Sequence, residues 1–163
     1  MGGTPAQRLE SERAKYPAMQ VDEILVWKNW LILHQQDYQR FDYNVLLGLN
    51  VDPGPTFPDY VRKAAIATRS LRIDAVGWQG DQPTIFEVKR RAGPENIGQL
   101  LVYRSKWNQQ QMSSLAPFLF LVCSAFMPHI VEAAAEAGIK LDVVPTDFSF
   151  LSPHAAKRNP TQQ

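Results

Sequence analysis

The chain has 163 residues, of which 45% are hydrophobic and 20% are charged, and its formal net charge at pH 7 is +1. This balance predicts one globular domain and excludes an intrinsically disordered chain. No apolar run reaches the length of a membrane span, and residues 1–5 lack the basic and apolar pattern of a secretion signal. We therefore expect a cytoplasmic protein that makes no contact with a membrane.

Cysteine and histidine usage excludes two classes of structural site. Cys123 is the only cysteine, so an internal disulfide is ruled out. Its apolar neighbours predict a buried core thiol rather than a nucleophile. Because the three histidines are scattered along the chain, no zinc site can be assembled from the sequence.

The first 19 residues form a polar lead-in, in which residues 6–15 can form a short helix. Such an arm is either disordered or docks on a neighbour. The main domain is expected over residues 20–150, followed by a loose polar tail over residues 151–163.

The first firm helix is predicted over residues 21–36, where apolar residues recur at helical spacing. The residues expected to face the core are Val21, Ile24, Leu25, Leu31 and Ile32. Glu23 lies on a different stripe of this helix, together with Trp27 and Trp30.

Three strands are predicted in the centre of the chain, over residues 41–48, 71–78 and 84–90, from their apolar runs. A proline-rich loop covers residues 50–59 after the first strand. Residues 60–70, which precede the second strand, form either a short helix or an extended arm.

The C-terminal half alternates helices with strands. A helix is predicted over residues 95–110 and a buried strand over residues 117–124. An alanine-rich helix follows over residues 128–137, which Gly138 ends, and residues 139–144 form the last strand. The pattern predicts a mixed α/β domain with a central sheet.

Two acids and a lysine stand in neighbouring predicted strands. Asp74 lies in the second strand, and Glu87 and Lys89 lie in the third, after a short polar turn. Side chains alternate along a strand, so Glu87 and Lys89 share a face that a hairpin of this length can bring to Asp74. The two carboxylates and the Val88 carbonyl are hard oxygen donors that suit Mg²⁺ or Mn²⁺.

A second interpretation is that Glu87 and Lys89 form a solvated cross-strand pair and that Asp74 is a surface acid. The flanking residues argue against it, because both acids stand within apolar runs. Charges in such runs need a partner or a function. The sequence therefore favours a reactive site over a surface pair.

The spacing of Asp74, Glu87 and Lys89 resembles the motif of the PD-(D/E)xK nuclease superfamily. Gln99 and Tyr103 follow on the next predicted helix, four residues apart, so they can share one helical face. This pair resembles the RecB-like and Cas4-like branch of the superfamily. The resemblance implies a restriction-endonuclease-like αβββαβ core, with a central mixed sheet flanked by helices.

The resemblance extends over about residues 20–145, and Ile73 stands where the family often has proline. A glutamate on the first core helix often joins the active site in this family, which makes Glu23 the candidate here. Alternatively, Glu23 is a first-turn acid favoured by the helix dipole. The chain also resembles short nuclease-like proteins of tailed phages, which would make the virion a second possible location.

The resemblance implies a metal-dependent deoxyribonuclease. The two acids of the motif and the Val88 carbonyl would hold Mg²⁺ or Mn²⁺, and Lys89 would position a water or stabilise phosphorane charge. Gln99 would orient Lys89, the water or a metal ligand. Tyr103 would contact a phosphate or the bound strand.

Basic residues cluster in the segment 61–106, where nine basic and four acidic residues give a net charge of +5. A phosphate-binding surface needs such a concentration of positive charge. The candidates for DNA backbone contacts are Arg62, Lys63, Arg69, Arg72, Arg90, Arg91 and Arg104. The alternative is an ordinary solvated basic face, because neighbours in sequence need not form a patch in space.

A different class of function stays open. The same fold could serve as an assembly or adaptor module, as a homo-oligomer or in a phage particle, with weak or no catalysis. The proline-rich loop, the lead-in and the modest net charge fit that role. The complete set of Asp74, Glu87 and Lys89 favours the nuclease, because a retired site has no chemical need for all three.

Overall fold

Helices pack on both faces of a five-stranded sheet. A computed structural model describes residues 3–48, 52–67 and 71–151. The strands are β1 (Arg40–Leu47), β2 (Leu71–Gln79), β3 (Gln82–Ala92), β4 (Phe118–Phe126) and β5 (Ile139–Val143). The helices are α1 (Pro5–Ser11), α2 (Val21–His34), α3 (Asp59–Ile66), α4 (Pro94–Gln109) and α5 (Ile130–Glu136). In the described ranges, every helix is too short or too polar to cross a membrane.

The strands lie in the sheet in chain order, from β1 to β5. β1, β2 and β3 form an antiparallel meander, whereas β4 is parallel to β3 and β5 is parallel to β4. Parallel neighbours need crossover connections, which α4 and α5 supply. This architecture confirms the predicted α/β class with a central mixed sheet flanked by helices.

The sheet separates two hydrophobic cores. On one face, Leu100 of α4 and Ile130 of α5 belong to a cluster with Ile85 of β3, which we call the α4-side core. On the other face, residues of α1 and α2 pack with Phe86 in the α2-side core. The ring of Trp30 lies 4.8 Å from that of Phe86 in this second core.

The buried stripe of α2 differs from the predicted one. Ile24 is fully buried as expected, but 73% of Ile32 is exposed. The buried stripe instead contains Trp27, Trp30 and Glu23. Indole rings bury more apolar area than aliphatic side chains, so the helix turns its tryptophans inward. The other residues expected to face the core are partly buried and pack against the α2-side core: Val21, Leu25 and Leu31.

The lead-in segment is part of the folded domain. Thr4 and Gln7 cap the start of α1 through reciprocal side-chain and backbone hydrogen bonds. Leu9, Tyr16 and Met19 are buried in the α2-side core. The segment therefore covers α2 of its own chain rather than extending as a free arm.

Cys123 is buried in the α4-side core, as predicted. Burial raises the pKa of its thiol to about 11, which keeps the group neutral and unreactive at physiological pH. The predicted C-terminal tail lies outside the described residues except for Leu151, which is buried.

Candidate active site

Asp74 stands where the ladder between β2 and β3 stops. The last paired residues are Ala75 and Phe86, and the next positions along the two strands are Asp74 and Glu87. Beyond this point the Asp74 Oδ2 atom accepts a hydrogen bond of 2.8 Å from the Val88 N–H. The carboxylate takes the place of a main-chain acceptor, which satisfies the buried N–H and places both acids side by side.

Glu87 is fully buried, and both of its carboxylate oxygens lack a hydrogen-bond partner among the described residues. Lys89 Nζ lies 3.0 Å from Glu87 Oε1 as an ion pair, without the alignment of a hydrogen bond. Buried polar atoms are almost always hydrogen-bonded in folded proteins. Glu87 therefore has two oxygens available to a water, a cation or a substrate group.

Glu23 connects helix α2 to the site lysine. Its Oε1 atom accepts a hydrogen bond of 2.8 Å from Lys89 Nζ. Its Oε2 atom accepts one of 2.8 Å from the Gln20 N–H at the start of α2. The two interpretations of Glu23 from the sequence are therefore compatible, because one carboxylate both caps the helix and holds the lysine.

Burial and mutual repulsion shift the protonation of this cluster. Burial, followed by the charge of Glu87, raises the pKa of Asp74 well above its usual range. Burial also raises the pKa of Glu87, although Lys89 partly offsets it. Burial alone would lower the pKa of Lys89, but the charges of Glu87, Glu23 and Asp74 outweigh it and raise that pKa. With all four groups ionised, three carboxylates and one ammonium would leave two uncompensated negative charges.

Gln99 and Tyr103 lie on one face of α4 and bind each other. Gln99 Nε2 donates a hydrogen bond of 2.6 Å to the Tyr103 hydroxyl, which donates one of 2.8 Å to the Arg72 carbonyl. Tyr103 is only 2% exposed, and burial and then the charge of Glu87 raise its pKa. The pair therefore anchors β2 two residues before Asp74. The Tyr103 hydroxyl proton is already donated to the Arg72 carbonyl, so it is not free for a ligand.

Three of the predicted DNA contacts lie on the strands that carry the site. Arg72 and Arg91 are exposed. Arg90 is half-buried, with its Cζ atom 4.2 Å from the centroid of the Phe148 ring and a guanidinium nitrogen 4.0 Å from Asp22. Arg91 is thus placed to meet a ligand. Arg72, although exposed, donates a hydrogen bond of 2.9 Å to Asn44 Oδ1, and Arg90 also has partners within the chain.

The remaining predicted contacts are more distant in the chain from the site. Arg62 forms a two-pronged pair with Asp52, with bonds of 2.6 and 3.0 Å. Arg104 donates a hydrogen bond of 3.2 Å to the carbonyl that caps the end of α5. Lys63 is exposed. Arg69 lies outside the described residues.

The predicted metal ion would need a set of oxygen ligands around the two motif acids. No three His, Cys, Asp or Glu side chains within residues 3–48, 52–67 and 71–151 converge as a metal centre. However, Mg²⁺ keeps several waters and commonly takes only one or two protein carboxylates. Asp74 and Glu87 supply two, and the cluster would have surplus negative charge with its three carboxylates ionised beside the one ammonium. In donor type and charge, these residues fit a divalent cation.

The acidic cluster is reached from the surface mainly through Lys89. Two shallow grooves in the described residues, one along α3 and one between α1 and α2, are lined by none of the clustered acids. Lys89 is the most accessible member of the cluster, with 26% of its side chain exposed, against 10% for Glu23 and 1% for Glu87. A ligand would therefore approach the carboxylates from the side of Lys89.

Comparisons of the chain with models of protein families, with curated proteins and with solved structures found no match. The sequence pattern identified Asp74, Glu87, Lys89 and Glu23, and the structure brings these four side chains together. The pattern missed Asn44, which has a positive φ of 53° and for which the sequence carries no signal beyond a polar residue within a strand.

Proposed function

We propose that the chain is a metal-dependent DNA nuclease that hydrolyses phosphodiester bonds. The observation that carries this proposal is Glu87, a fully buried carboxylate that lies beside Asp74 in the sheet and forms an ion pair of 3.0 Å with Lys89. A fold that needed only stability would gain from apolar residues in these positions. Several ionisable groups that perturb one another in one buried cluster are typical of catalytic sites.

The order of elements also supports this proposal. Apart from α3, which lies between β1 and β2, the order from α2 to β4 matches the αβββαβ order of the resembled superfamily. The motif acids fall on β2 and β3 and the Gln99–Tyr103 pair falls on α4, as that resemblance implies. We therefore assign the restriction-endonuclease-like fold as part of the same proposal.

Asp74 and Glu87 would hold Mg²⁺ or Mn²⁺, with the Val88 carbonyl as the remaining predicted ligand. When bound, the ion polarises the scissile phosphate and lowers the pKa of a water. A divalent charge would balance the two uncompensated carboxylates, so both acids would be ionised in the loaded site. Protons and the divalent ion would therefore compete for these carboxylates, because burial raises the pKa of each acid.

Lys89 would act on the phosphate. Its ammonium, held by Glu23 and Glu87, would offset the negative charge that develops during hydrolysis. Glu23 would act through Lys89 as a positioning residue. Gln99 and Tyr103 would position β2 through the Arg72 carbonyl rather than contact the phosphate.

Sequence-independent binding of DNA would come from arginines around the site. Arg72 and Arg91 are exposed on the strands that carry Asp74 and Glu87, and Arg90 stands between Lys89 and Arg91. Contacts of guanidinium groups with phosphate oxygens position a nucleic acid without reading its bases. The proposed substrate is therefore the DNA backbone rather than a particular sequence.

The test is cleavage of supercoiled plasmid and of single-stranded circular DNA, with Mg²⁺, with Mn²⁺ and with EDTA. We expect metal-dependent cutting that falls by about 10²–10³-fold in Glu87→Gln, which removes a proposed metal ligand, and in Lys89→Met, which removes the cation proposed to stabilise the phosphate charge. Glu95→Gln, which changes an exposed acid, is the matched control. A folded wild-type protein that neither cuts DNA nor binds Mn²⁺ in titration calorimetry would reject the nuclease and lead to the assembly role.

A further inference from the structure

The alternation of side chains between the two faces of the sheet is interrupted in β1 and in β2. The interruptions lie opposite each other in the sheet. Side chains two residues apart on a regular strand share a face. However, Tyr43 packs against the α2-side core and Val45 against the α4-side core. On β2, Ala75 belongs to the α2-side core and Ile73 to the α4-side core. We call this change of side the face switch.

Asn44 and Asp74 lie at the face switch, and the pairing of β1 with β2 passes over both of them. Asn44 has φ 53, in the left-handed region that asparagine tolerates better than most residues other than glycine. A left-handed residue turns β1 so that it follows the change on β2. Asp74 then directs its carboxylate along the sheet to the Val88 N–H, whereas side chains of a regular strand stand perpendicular to the sheet.

We propose that Asn44 is a positioning residue for Asp74. Its left-handed backbone sets the face switch, and its Oδ1 atom accepts a hydrogen bond of 2.9 Å from an Arg72 guanidinium nitrogen. The Tyr103 hydroxyl donates a hydrogen bond of 2.8 Å to the carbonyl of the same Arg72. These contacts fix the segment that ends at Asp74. The consequence for metal affinity rests on the nuclease function proposed above, but the positioning itself does not.

The first test follows the Val88 amide by native-state hydrogen exchange in metal-free protein. Asn44→Gly keeps access to positive φ, whereas Asn44→Val introduces a β-branched residue that disfavours it. We expect Asn44→Val to lower the protection of the Val88 amide about tenfold relative to the Val122 amide on β4. Asn44→Gly keeps the left-handed backbone and removes only the Oδ1 contact with Arg72, so it is expected to lose less protection than Asn44→Val. Asp74→Ala removes the acceptor and is expected to abolish the protection of the Val88 amide.

The second test measures the Mn²⁺ concentration that half-saturates binding and cleavage. We expect Asn44→Val to need more Mn²⁺ than Asn44→Gly, with little difference between them in KM for DNA. Equal protection of Val88 in both variants would overturn the positioning role, as would a parallel loss at Val88 and Val122. If wild type neither cuts nor binds Mn²⁺ while the Val88 result holds, the nuclease fails and the positioning of Asp74 by Asn44 stands.

Discussion

At the scale of single residues, the carboxyl group of Asp74 is held in an environment that opposes its ionisation. It is 4% exposed, its neighbour Glu87 is fully buried, and Lys89 is the cation paired with that neighbour. Ionised groups lose several kcal/mol of hydration on burial, and mutual attraction restores only part of it. The cluster is therefore expected to lower the stability of the folded protein.

Asp74→Asn should stabilise the protein in EDTA at pH 8 by about 1–2 kcal/mol, because it removes a buried charge and keeps an acceptor for the Val88 N–H. The folded state retains a proton on Asp74 that the unfolded chain releases above its ordinary pKa of 3.8. The free energy of unfolding of the wild type should therefore fall as pH rises from that value through the raised folded pKa. Urea unfolding between pH 4 and pH 9 measures this slope.

In the Asn variant the contribution of Asp74 to that slope should disappear, while the smaller contribution of Glu87 remains. One proton contributes at most about 1.4 kcal/mol per pH unit. Equal slopes and equal stabilities in the two proteins would show that the Asp74 carboxyl titrates normally. Saturating Mg²⁺ should reverse the order of stability, because only the wild type has both carboxylates for the ion.

Lys89→Met should have the opposite effect on stability. It leaves Glu23 and Glu87 without their cation, and an uncompensated buried charge costs about 3–5 kcal/mol. The loss should be smaller at pH 5 than at pH 8, because protonated carboxyls no longer need a partner. Lys140→Met, on a lysine whose side chain is 56% exposed, should cost less than about 0.5 kcal/mol. A similar loss in both variants by urea unfolding would contradict the buried ion pair.

At the scale of elements, α2 shows why helix orientation is harder to predict than helix position. The prediction of a helix over residues 21–36 agrees with Val21–His34, because apolar spacing and length decide it. Its apolar residues, however, occupy more than one stripe, so periodicity alone did not identify the buried one. The aromatic packing against Phe86 decides the orientation, and that partner lies on another element.

The orientation of α2 predicts different results for the same substitution at two positions. Ile24→Ala should lower the free energy of unfolding by about 2–5 kcal/mol, because it leaves a cavity in the α2-side core. Ile32→Ala should change it by less than about 0.5 kcal/mol, because this side chain is 73% exposed. Chemical denaturation measures both changes in the free energy of unfolding, provided that the two variants unfold with equal m-values. A larger loss at Ile32 would support the stripe predicted from periodicity.

For the strands and the site, as for α2, features set by local sequence could be predicted, whereas features set by contacts between distant residues could not. The predicted strand over residues 84–90 lies within Gln82–Ala92, because continuous apolar runs mark buried strands. Glu87 and Lys89 could be placed on one face from alternation alone. The orientation of Asp74 could not, because it depends on a left-handed residue in β1 and an interrupted ladder. Irregular backbone at one residue has no periodic signal.

At the scale of the whole molecule, the net charge of +1 conceals an uneven distribution. The segment 61–106 carries +5, so the remainder of the chain is negative. Within the basic segment, Arg62, Arg72 and Arg104 have hydrogen-bond partners in the fold, while Arg91 is exposed on the strand that carries Glu87 and Lys89. The positive charge without a partner in the fold is therefore smaller than the segment total.

This distribution predicts how DNA affinity should depend on salt. Each phosphate neutralised by a protein cation contributes about 0.9 to the slope of log affinity against log salt for duplex DNA. Arg91→Ala should therefore reduce the magnitude of the slope by about one and weaken binding equally for unrelated sequences. Arg13→Ala, on an arginine of similar exposure in the lead-in, should leave the slope unchanged.

The measurement is fluorescence anisotropy of labelled duplex DNA in EDTA, in a Glu87→Gln background that prevents cleavage. Both variants alter one exposed arginine, so the comparison separates the position of a positive charge from its mere number. Equal slopes for Arg91→Ala and Arg13→Ala would mean that DNA does not lie across the strands that carry Asp74 and Glu87. The buried cluster would then lack a polyanionic substrate, and a smaller phosphate ester would become the better candidate.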